Sequence, residues 1–304
     1  MERSPRNKTL SLSESEGERL LSKCVTSPPY GIDCTVLGDC IDIMDSLPDG
    51  FADLIIADPP YNMHRKFGDS VFSKMPPEEY AEYTARWIAC AARLLKEGGS
   101  MYVCCDWSSG LAVFSELSRH LTVKNRITWQ REKGRGSKTN WKSCHEDIYY
   151  AVKGCAPFHA ERVMQRRRVL APYRSEGVAR DWEDTRQGKF RNTYPSNLWD
   201  DITVPFWSME ENTPHPTQKP EKLVAKMILA SSNEGDIVFD PFLGSGTSSV
   251  VAKKLKRHYF GIEKCPKYAA YAEYRLEKAE RDPSIQGYDG VFFERNSAPV
   301  KHNK

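Results

Sequence analysis

The chain has 304 residues, of which 39% are hydrophobic and 28% are charged, and its formal net charge is +3. A chain of this length buries a sufficient core without disulfide bonds or a structural metal, which excludes a small disulfide-stapled scaffold. No run of 18 apolar residues occurs, so the sequence predicts no membrane-spanning helix, and its apolar content excludes a wholly disordered chain.

The cysteines and the N-terminus indicate where the protein acts. Nine cysteines, an odd number without a C-x-x-C pair, favour reduced thiols over disulfide bonds, and no histidine shows H-E-x-x-H spacing. We therefore assign no metal. The first 19 residues lack the apolar segment of a signal peptide and predict a solvated arm. A cytoplasmic location is the resulting expectation.

The positive charge is concentrated in two segments. Residues 124–142 hold seven basic residues and one acid, and residues 162–191 hold nine basic residues and four acids, whereas the rest of the chain is acidic. Either segment alone is compatible with an ordinary solvated face. Together they favour a polyanion as partner, because neutralised phosphates supply affinity that does not depend on base sequence.

Short apolar runs alternate with segments of helical spacing along the chain. The first half predicts strands at 35–38, 52–57, 100–105, 127–130 and 147–152 and helices at 40–47, 77–95 and 110–120. The last third predicts a helix that starts at Pro220, strands at 236–239 and 258–262, and helices at 247–255 and 266–281. This alternation indicates an α/β protein with an open, mostly parallel, doubly wound sheet.

The alternation fails between about Cys155 and Asn212, where Arg, Trp, Tyr, Pro and Asn are frequent. The break predicts an inserted module and divides the chain into five parts. They are an N-terminal arm at 1–34, one half of the core at 35–154, the insert at 155–213, the other half of the core at 214–281, and a polar tail at 282–304.

A glycine-rich turn follows one predicted strand, in the sequence IVFDPFLGSG at 237–246. Glycines let the backbone approach a ligand at the carboxyl end of a strand, where open α/β sheets bind nucleosides. Ser249 replaces the third glycine of the dinucleotide fingerprint, so the turn suits a nucleoside without a pyrophosphate better than NAD. Glu263 ends the next strand, where it can accept hydrogen bonds from ribose hydroxyls. A purely structural turn is the alternative.

A second loop, Asp58-Pro59-Pro60-Tyr61, directly follows the apolar strand at 52–57. Adjacent prolines fix φ and remove two N–H donors, which leaves a stiff loop that offers only acceptors. The Asp58 carboxylate and the Pro59 carbonyl can accept the two hydrogens of an exocyclic amino group, and the Tyr61 ring offers a face for a stacked base. A simple strand-ending turn is the alternative.

These features occur in a characteristic chain order. The D-P-P-Y unit at 58–61, the hexapeptide HPTQKP at 215–220 and the F-x-G-x-G turn at 242–246 resemble the S-adenosylmethionine-dependent DNA amino-methyltransferases of the β class. The resemblance covers residues 35–281. It implies a Rossmann-like doubly wound methyltransferase sheet, mostly parallel with one antiparallel strand, and it identifies the insert as the target recognition region.

The resemblance also implies roles for individual residues. The catalytic motif is Asp58, Pro59, Pro60 and Tyr61. The S-adenosylmethionine site comprises Asp39, Asp58, His215, Thr217, Asp240, Phe242, Gly244, Gly246, Thr247 and Glu263, with His215 and Thr217 near the methionine end and Asp39 near the adenine.

Two basic stretches are expected to contact DNA. Residues 127–152 resemble the family's strand–loop–strand near the flipped base, where Trp129 either encloses the base or is a core aromatic. The insert combines Arg with Asn and Gln, which pair with guanine and adenine in the major groove. The expected DNA-binding residues are Trp129, Arg131, Lys133, Arg135, Lys138, Arg166, Arg167, Arg168, Arg174, Lys189 and Arg191.

A second P-P-Y unit, Ser27-Pro28-Pro29-Tyr30, resembles the catalytic motif of cytosine amino-methyltransferases. The stretch before it is short and is interrupted by Ser22 and Lys23, whereas Asp58 follows a full strand. We therefore expect the Asp58 motif to be the active one and the Ser27 motif to belong to a structured arm.

The sequence thus predicts a site-specific enzyme that flips adenine out of double-stranded DNA and methylates its 6-amino group. Aspartate rather than serine at position 58 favours adenine, and methylation of the cytosine 4-amino group is the alternative. An RNA base methyltransferase and a catalytically inactive DNA-binding regulator are more distant alternatives. A cognate restriction endonuclease would be a functional partner, and we expect a monomer or homodimer without membrane association.

Overall fold

The computed structural model describes residues 4–68, 70–131, 138–169, 174–179, 181–186, 188–288 and 290. The helices are α1 (Glu14–Leu21), α2 (Cys40–Ser46), α3 (Pro77–Leu94), α4 (Gly110–His120), α5 (Glu221–Ser231), α6 (Thr247–Lys254) and α7 (Pro266–Arg281), with a 3-10 helix at Ala160–Val163. No helix in these ranges is both long enough and apolar enough to cross a membrane.

Fifteen strands are present in the same ranges. They are β1 (Cys34–Leu37), β2 (Ala52–Ala57), β3 (Arg65–Phe67), β4 (Ser70–Phe72), β5 (Leu95–Cys105), β6 (Thr122–Gln130), β7 (His145–Val152), β8 (Gln165–Arg168), β9 (Arg174–Ser175), β10 (Val178–Ala179), β11 (Glu183–Thr185), β12 (Gly188–Thr193), β13 (Leu198–Trp199), β14 (Ile237–Asp240) and β15 (His258–Glu263).

Eight of these strands form one sheet in the order β1-β15-β14-β2-β5-β7-β6-β13. Strand β7 pairs antiparallel with both β5 and β6, and every other neighbouring pair in this sheet is parallel. The predicted α/β class, with a mostly parallel sheet and one antiparallel strand, is confirmed.

Helices cover both faces of this sheet because alternate side chains of its central strands are apolar on both sides. In β2, Leu54 and Ile56 pack into an apolar cluster with α5 and α6. Ile55 and Ala57 point the other way and pack into a second cluster with α2, α3 and α4. The core is therefore a three-layer arrangement with the sheet in the middle.

The chain connections open a crevice at one point of the sheet. Strand β14 leads through α6 to β15, whereas its neighbour β2 leads through α3 to β5 on the opposite side. Because the two connections leave in opposite directions, no single crossover covers the carboxyl ends of both β14 and β2, and a crevice remains between them. Open α/β sheets bind their ligands at such switch points.

Most predicted core elements agree with the structure to within two residues. The exceptions are β5 and β6, which begin at Leu95 and Thr122 instead of at 100 and 127. Residues 96–99 of β5 and 124–126 of β6 are polar or glycine, and cross-strand pairing rather than an apolar pattern extends the two strands. The hairpin of β3 and β4 was not predicted, since its residues lack an alternating apolar pattern.

The insert contains more structure than its composition indicated. Strands β8, β11 and β12 form a three-stranded antiparallel sheet, and β9 pairs with β10. Its C-terminal end returns to the core before residue 213: β13 joins the main sheet beside β6, and Ile202 and Val204 are buried in the apolar core. The separate part of the insert therefore lies within Gln165–Thr193.

The expectation of a solvated N-terminal arm is wrong over α1. Ser13 caps this helix in a capping box with Glu16, and Leu20 is fully buried where α1 packs against α7. Arg19 also forms a bidentate ion pair with Glu277 of α7. The S-x-x-E signal was present in the sequence, but the apolar contact that holds the helix is made by a distant element.

Candidate active site

Four neighbouring strands bring acidic residues to one edge of the sheet. These are Asp39 after β1, Glu263 at the end of β15, Asp240 at the end of β14 and Asp58 after β2. A cavity of about 460 Å³ opens at this edge, within the range of about 300–1,000 Å³ that is typical of small-molecule sites. The D-P-P-Y loop and the glycine turn line this cavity together.

The structure brings together most of the residues singled out in the sequence. All four residues of the D-P-P-Y motif line the cavity. So do nine of the ten residues expected at the cofactor, namely Asp39, Asp58, His215, Thr217, Asp240, Phe242, Gly244, Thr247 and Glu263.

Gly246 is the exception, and its expected contact with the cofactor stays a prediction. This residue precedes α6 with a φ of 85° and is not among the residues that line the cavity. A Cβ atom at Gly246 would lie 2.6 Å from the Cβ of Ala272 in α7. Gly246 is therefore required for the close approach of α6 and α7.

Gly244 faces the cavity beside a buried histidine. Its φ is 58°, and a Cβ atom there would lie 3.1 Å from Nε2 of His215. Burial, with a contribution from the Lys219 ammonium, lowers the pKa of His215 to about 3, so the imidazole is neutral at physiological pH. The absence of a side chain at Gly244 leaves a backbone cradle against a neutral ring, which suits a nucleoside.

Glu263 is held by the backbone around this cradle. Its two carboxylate oxygens accept hydrogen bonds from the N–H groups of Gly244 and Cys265, each at 2.7 Å. Burial raises the pKa of Glu263 to about 7, although the backbone hydrogen bonds oppose this shift. The carboxyl group keeps unused acceptor positions that can bind hydroxyl groups.

Asp240 and Asp39 support the same end of the cavity. Asp240 accepts hydrogen bonds from the Phe242 N–H at 2.9 Å and the Ser248 hydroxyl at 2.6 Å, and burial raises its pKa to about 7. Asp39 caps α2 and accepts a hydrogen bond from the Lys264 ammonium at 3.0 Å. These acids fix the strand-to-helix turns that shape the cavity.

The D-P-P-Y motif lies in a cluster of charged side chains that the sequence did not predict. Asp58 Oδ2 accepts a hydrogen bond from the Lys219 ammonium at 2.6 Å, and Asp58 Oδ1 lies 3.0 Å from the Tyr61 hydroxyl. The Tyr61 hydroxyl also lies 3.1 Å from Oε2 of Glu146 on β7. Arg131 pairs with the other carboxylate oxygen of Glu146. We define these as the Asp58–Lys219–Glu146 cluster.

Four charged residues of the cavity were not predicted from the sequence, namely Arg65, Glu146, Lys219 and Lys264. Lys219 lies inside the HPTQKP hexapeptide, so its position carried a signal, whereas Glu146 is one acid among several in its strand. Arg65 lies on β3 and also lines the cavity. No local pattern marks Glu146 or Arg65, because their neighbours come from other elements.

The cavity cations differ in whether they have a carboxylate partner. Lys219 pairs with Asp58, Arg131 with Glu146, and Lys264 with Asp39. Arg65 has no carboxylate partner among the described residues, and its Nη2 lies 4.0 Å from Met63 Sδ. The Arg65 guanidinium is thus available to an anionic group of a ligand.

The expected DNA-binding residues fall into several groups. Trp129 is 1% exposed and donates a hydrogen bond from its indole N–H to the Ile202 carbonyl, so its expected role in enclosing a base is wrong and it is a core residue. Lys133 and Arg135 lie outside the described residues. Arg131 lines the cavity, and Lys138 is exposed.

The basic residues of the insert lie on its small strands. Arg166 pairs with Glu183 and lies over the Phe190 ring, while Arg174 and Lys189 lie near the face of Trp182. The Arg167 guanidinium donates to the Gln165 side chain. Arg167, Arg168 and Arg191 are exposed. Contacts of this group with DNA stay a prediction.

The rival Ser27 motif does not contribute to the cavity. Its residues are absent from the lining formed by the described residues, and Ser27 itself is exposed. Tyr30 packs edge-on against Phe260, with ring centroids 6.2 Å apart. The motif therefore belongs to the packed part of the N-terminal segment.

Comparison with known proteins agrees with this geometry. Residues 52–274 match the DNA methylase family, N6_N4_Mtase. The Type II methyltransferase M.HpaI of Haemophilus parainfluenzae is 32% identical over 261 residues, covering 84% of this chain and 76% of M.HpaI. The DNA adenine methyltransferase YhdJ of Escherichia coli K12 is 33% identical over 246 residues, covering 80% of this chain and 82% of YhdJ.

Solved structures share the fold. The M1.HpyAVI–SAM complex has a TM-score of 0.54 at 25% identity, covering 80% of this chain and 98% of M1.HpyAVI. The cytosine-N4-specific PvuII DNA methyltransferase has a TM-score of 0.59 at 18% identity, covering 81% of this chain and 87% of that one. Because the family match spans most of the residues that build the sheet and its cavity, the chain belongs to the DNA methylase family.

Proposed function

We propose that this protein transfers a methyl group from S-adenosylmethionine to the 6-amino group of adenine in double-stranded DNA. The observation that carries the proposal is the shared cavity: the rigid D-P-P-Y acceptor loop and the Gly244 cradle follow two hydrogen-bonded strands, β2 and β14. The relative named as a DNA adenine methyltransferase supports the choice of base.

The cavity residues fit the methyl donor. S-adenosylmethionine supplies an electrophilic methyl group when it is bound. Glu263 would accept hydrogen bonds from the ribose hydroxyls, and Phe242 and the Gly244 cradle would enclose the nucleoside. His215, neutral and buried, adds no charge that would repel the sulfonium.

The D-P-P-Y loop would act on the base. A base must leave the duplex before its amino group can be reached. The Asp58 carboxylate and the Pro59 carbonyl would accept the two amino hydrogens, which favours a more tetrahedral nitrogen with its lone pair available for the methyl carbon. Rate acceleration then comes from orientation and from the negative charge of Asp58 beside a nitrogen that becomes positive. The nitrogen finally releases one proton, which the carboxylate can accept.

The identity of the base is tested directly. Plasmid DNA methylated by the purified protein is digested to nucleosides and analysed by mass spectrometry. We expect to detect N6-methyl-2′-deoxyadenosine. Recovery of only N4-methylcytosine would move the assignment to the cytosine alternative. Competition between duplex DNA and RNA tests the RNA alternative, because the grooves of the two duplexes differ.

The insert and the basic residues near the cavity would supply DNA contacts. The exposed arginines on β8 and β12 are the candidates to contact bases or phosphates. Similarity to a Type II methyltransferase supports a place in a restriction–modification system, with a cognate endonuclease as functional partner. A DNA substrate supports the proposed cytoplasmic location. Modification-sensitive sequencing of DNA from expressing cells would give the recognition site.

Arg65 is proposed to bind the carboxylate of the methionine end of the cofactor, because it is the cavity cation without a carboxylate partner among the described residues. Arg65→Gln should weaken S-adenosylmethionine binding by about tenfold, the usual effect of losing a hydrogen bond to a charged group. Binding of 5′-methylthioadenosine, which lacks the amino-carboxyl end, should not change. Calorimetric titration of both ligands checks this.

Lys66 provides the matched control for Arg65. It is the next residue on β3, is exposed, and is not among the residues that line the cavity. Lys66→Gln should leave the affinity for both ligands unchanged. If Arg65→Gln lowered the affinity for both ligands equally, the substitution would have a general effect on the cavity, and this result would contradict the proposed contact.

Glu263 should make nucleoside binding depend on pH. Its raised pKa of about 7 means that the carboxyl is partly protonated at neutral pH, and only the ionised form accepts freely from both ribose hydroxyls. The affinity for 5′-methylthioadenosine should therefore increase as pH rises through 7. The Glu263→Gln variant should bind 5′-methylthioadenosine more weakly, and its affinity should increase less with pH. The increase that remains would come from the ionisation of Asp240. An unchanged slope in this variant would contradict the assignment.

A further inference from the structure

Lys219 is a buried ammonium that lies among three oxygen atoms of the protein. Its side chain is 9% exposed, and Nζ lies 2.6 Å from Asp58, 3.3 Å from Glu146 and 3.3 Å from the Tyr61 hydroxyl. A lysine has three N–H donors and no acceptor. Three oxygen atoms of the protein therefore surround this ammonium, and the Asp58 carboxylate is the nearest of them.

The backbone fixes where this ammonium lies. The Lys219 carbonyl accepts a hydrogen bond from the Thr247 hydroxyl at 3.0 Å, which ties the lysine to the first turn of α6 beside the glycine turn. Its side chain extends to the D-P-P-Y loop. Lys219 thus connects the cofactor half of the core with the catalytic motif.

The two carboxylates in the cluster lie close to each other. Asp58 Oδ1 and Glu146 Oε2 both lie within 3.1 Å of the single Tyr61 hydroxyl. Glu146 is buried and Asp58 is half-buried, and two negative charges held this close in a site shielded from water repel each other unless a counter-charge lies beside them. A protonated Asp58 would lose part of its acceptor capacity, which the amino group of the base requires.

We propose that Lys219 is a positioning residue that keeps Asp58 ionised and oriented toward the base, by pairing directly with the Asp58 carboxylate and by offsetting, together with Arg131, the negative charge of Glu146. The inference rests on the proposed catalytic role of Asp58 and adds the group that makes this role compatible with a buried second acid. Lys219 itself does not touch the substrate.

Other groups that face Asp58 do not replace Lys219. They are Tyr61 on the same loop, Cys104 on β5, Glu146 on β7, Arg131 after β6, Asp240 on β14 and His215. Burial raises the pKa of the Tyr61 hydroxyl and of the Cys104 thiol and lowers the pKa of His215, so these three are neutral near pH 7. Arg131 contacts the far oxygen of Glu146 and not Asp58.

The pH dependence of methyl transfer tests the proposal. Single-turnover rates are measured from about pH 5.5 to 9.5 for the parent, Lys219→Met and Lys219→Arg, because the pH profile reports the protonation of essential groups. In Lys219→Met the acidic limb should move upward by at least about one pH unit, so that the rate at a given pH on that limb falls about tenfold, and the rate should recover at high pH. In Lys219→Arg the acidic limb of the pH–rate profile should stay at the same pH as in the parent.

A double variant separates charge balance from direct participation. Glu146→Gln in the Lys219→Met background removes one cation and one anion together. The fold of the double variant therefore does not have to tolerate a Glu146 carboxylate that has lost its lysine partner. Its acidic limb should return toward that of the parent. Loss of methyl transfer at every pH in the double variant, or an unmoved limb in Lys219→Met, would overturn the proposal.

Lys226→Met is the matched control. Lys226 is also a buried lysine that pairs with a carboxylate, Asp201, but it is not among the residues that line the cavity. Its replacement should leave the acidic limb of the profile unmoved. S-adenosylmethionine affinity, measured by calorimetry, should be unchanged in Lys219→Met as well.

The two proposals fail in different ways. Parental turnover in Asp58→Asn would refute the catalytic role of Asp58 and, with it, the proposed function at this site. An inactive Asp58→Asn together with a Lys219→Met profile identical to the parent would refute only the role of Lys219.

Discussion

Replacing Asp58 with alanine is expected to lower methyl transfer by at least about 10³-fold, in the range seen when a preorganised electrostatic group is lost. The carboxylate is the anionic acceptor of the D-P-P-Y loop, and no backbone group in that loop can replace its charge. Asp58→Asn should show a similar loss, because an amide keeps the shape but not the charge. Transfer of a labelled methyl group to DNA measures the rate.

Cofactor binding should survive these substitutions. Asp58 lines the cavity, but the cradle at Gly244 and the Glu263 carboxylate are built by β14 and β15. Calorimetry with S-adenosylmethionine should therefore give an affinity close to that of the parent. Asp58→Asn is the safer variant for stability, since its amide oxygen can still accept from the Lys219 ammonium.

The second P-P-Y unit offers a matched control for Asp58. Ser27→Ala changes the corresponding position of the rival motif, which is exposed and does not line the cavity. Turnover should be unchanged. Near-normal turnover in Asp58→Asn combined with a loss in Ser27→Ala would transfer the catalytic role to the N-terminal motif.

Replacing Gly246 with alanine should destabilise the fold by roughly 3 kcal/mol, from the strain of a left-handed backbone and the overpacking of two helices. The added Cβ would lie 2.6 Å from the Ala272 Cβ and 2.8 Å from its Cα. Because the backbone of α7 is part of the contact, adding Ala272→Gly to the Gly246→Ala variant should not restore its stability fully. Chemical denaturation of the two variants and the parent checks this.

Gly244 provides the contrast within the same turn. Its added Cβ would meet the His215 ring at 3.1 Å on the cavity wall rather than another helix. Gly244→Ala should therefore reduce S-adenosylmethionine affinity about tenfold or more, equal to about 1.4 kcal/mol, with a smaller loss of stability than Gly246→Ala. A Gly246→Ala protein with parental stability and weakened cofactor binding would show that Gly246 contacts the ligand after all.

Local patterns in the sequence predicted the elements and the two loops of the site. Apolar runs marked buried parallel strands because both faces of such a sheet are covered. The D-P-P-Y and glycine loops were placed at strand ends, and adjacent strands β2 and β14 bring them to one cavity. These signals are local, since strand period, proline stiffness and glycine conformation depend on a few neighbouring residues.

Patterns of this kind failed where a contact joins distant parts of the chain. The composition of the N-terminus indicated a solvated arm, but Leu20 is buried by α7. The glycine motif associated Gly246 with the cofactor and gave no sign of its close approach to Ala272, which explains its lack of a side chain. Trp129 fitted either a base pocket or the core, and its neighbours in the structure place it in the core.

The sequence by itself determined the α/β class, the order of the catalytic and cofactor motifs, and the acceptor chemistry of the D-P-P-Y loop. Only the tertiary structure decided which charged groups surround Asp58: Lys219 is 161 residues away in the chain, and Glu146 lies on the antiparallel strand β7. The physical reason is that residue type and spacing fix local conformation, whereas ion pairs in a buried site depend on which elements the sheet order places side by side.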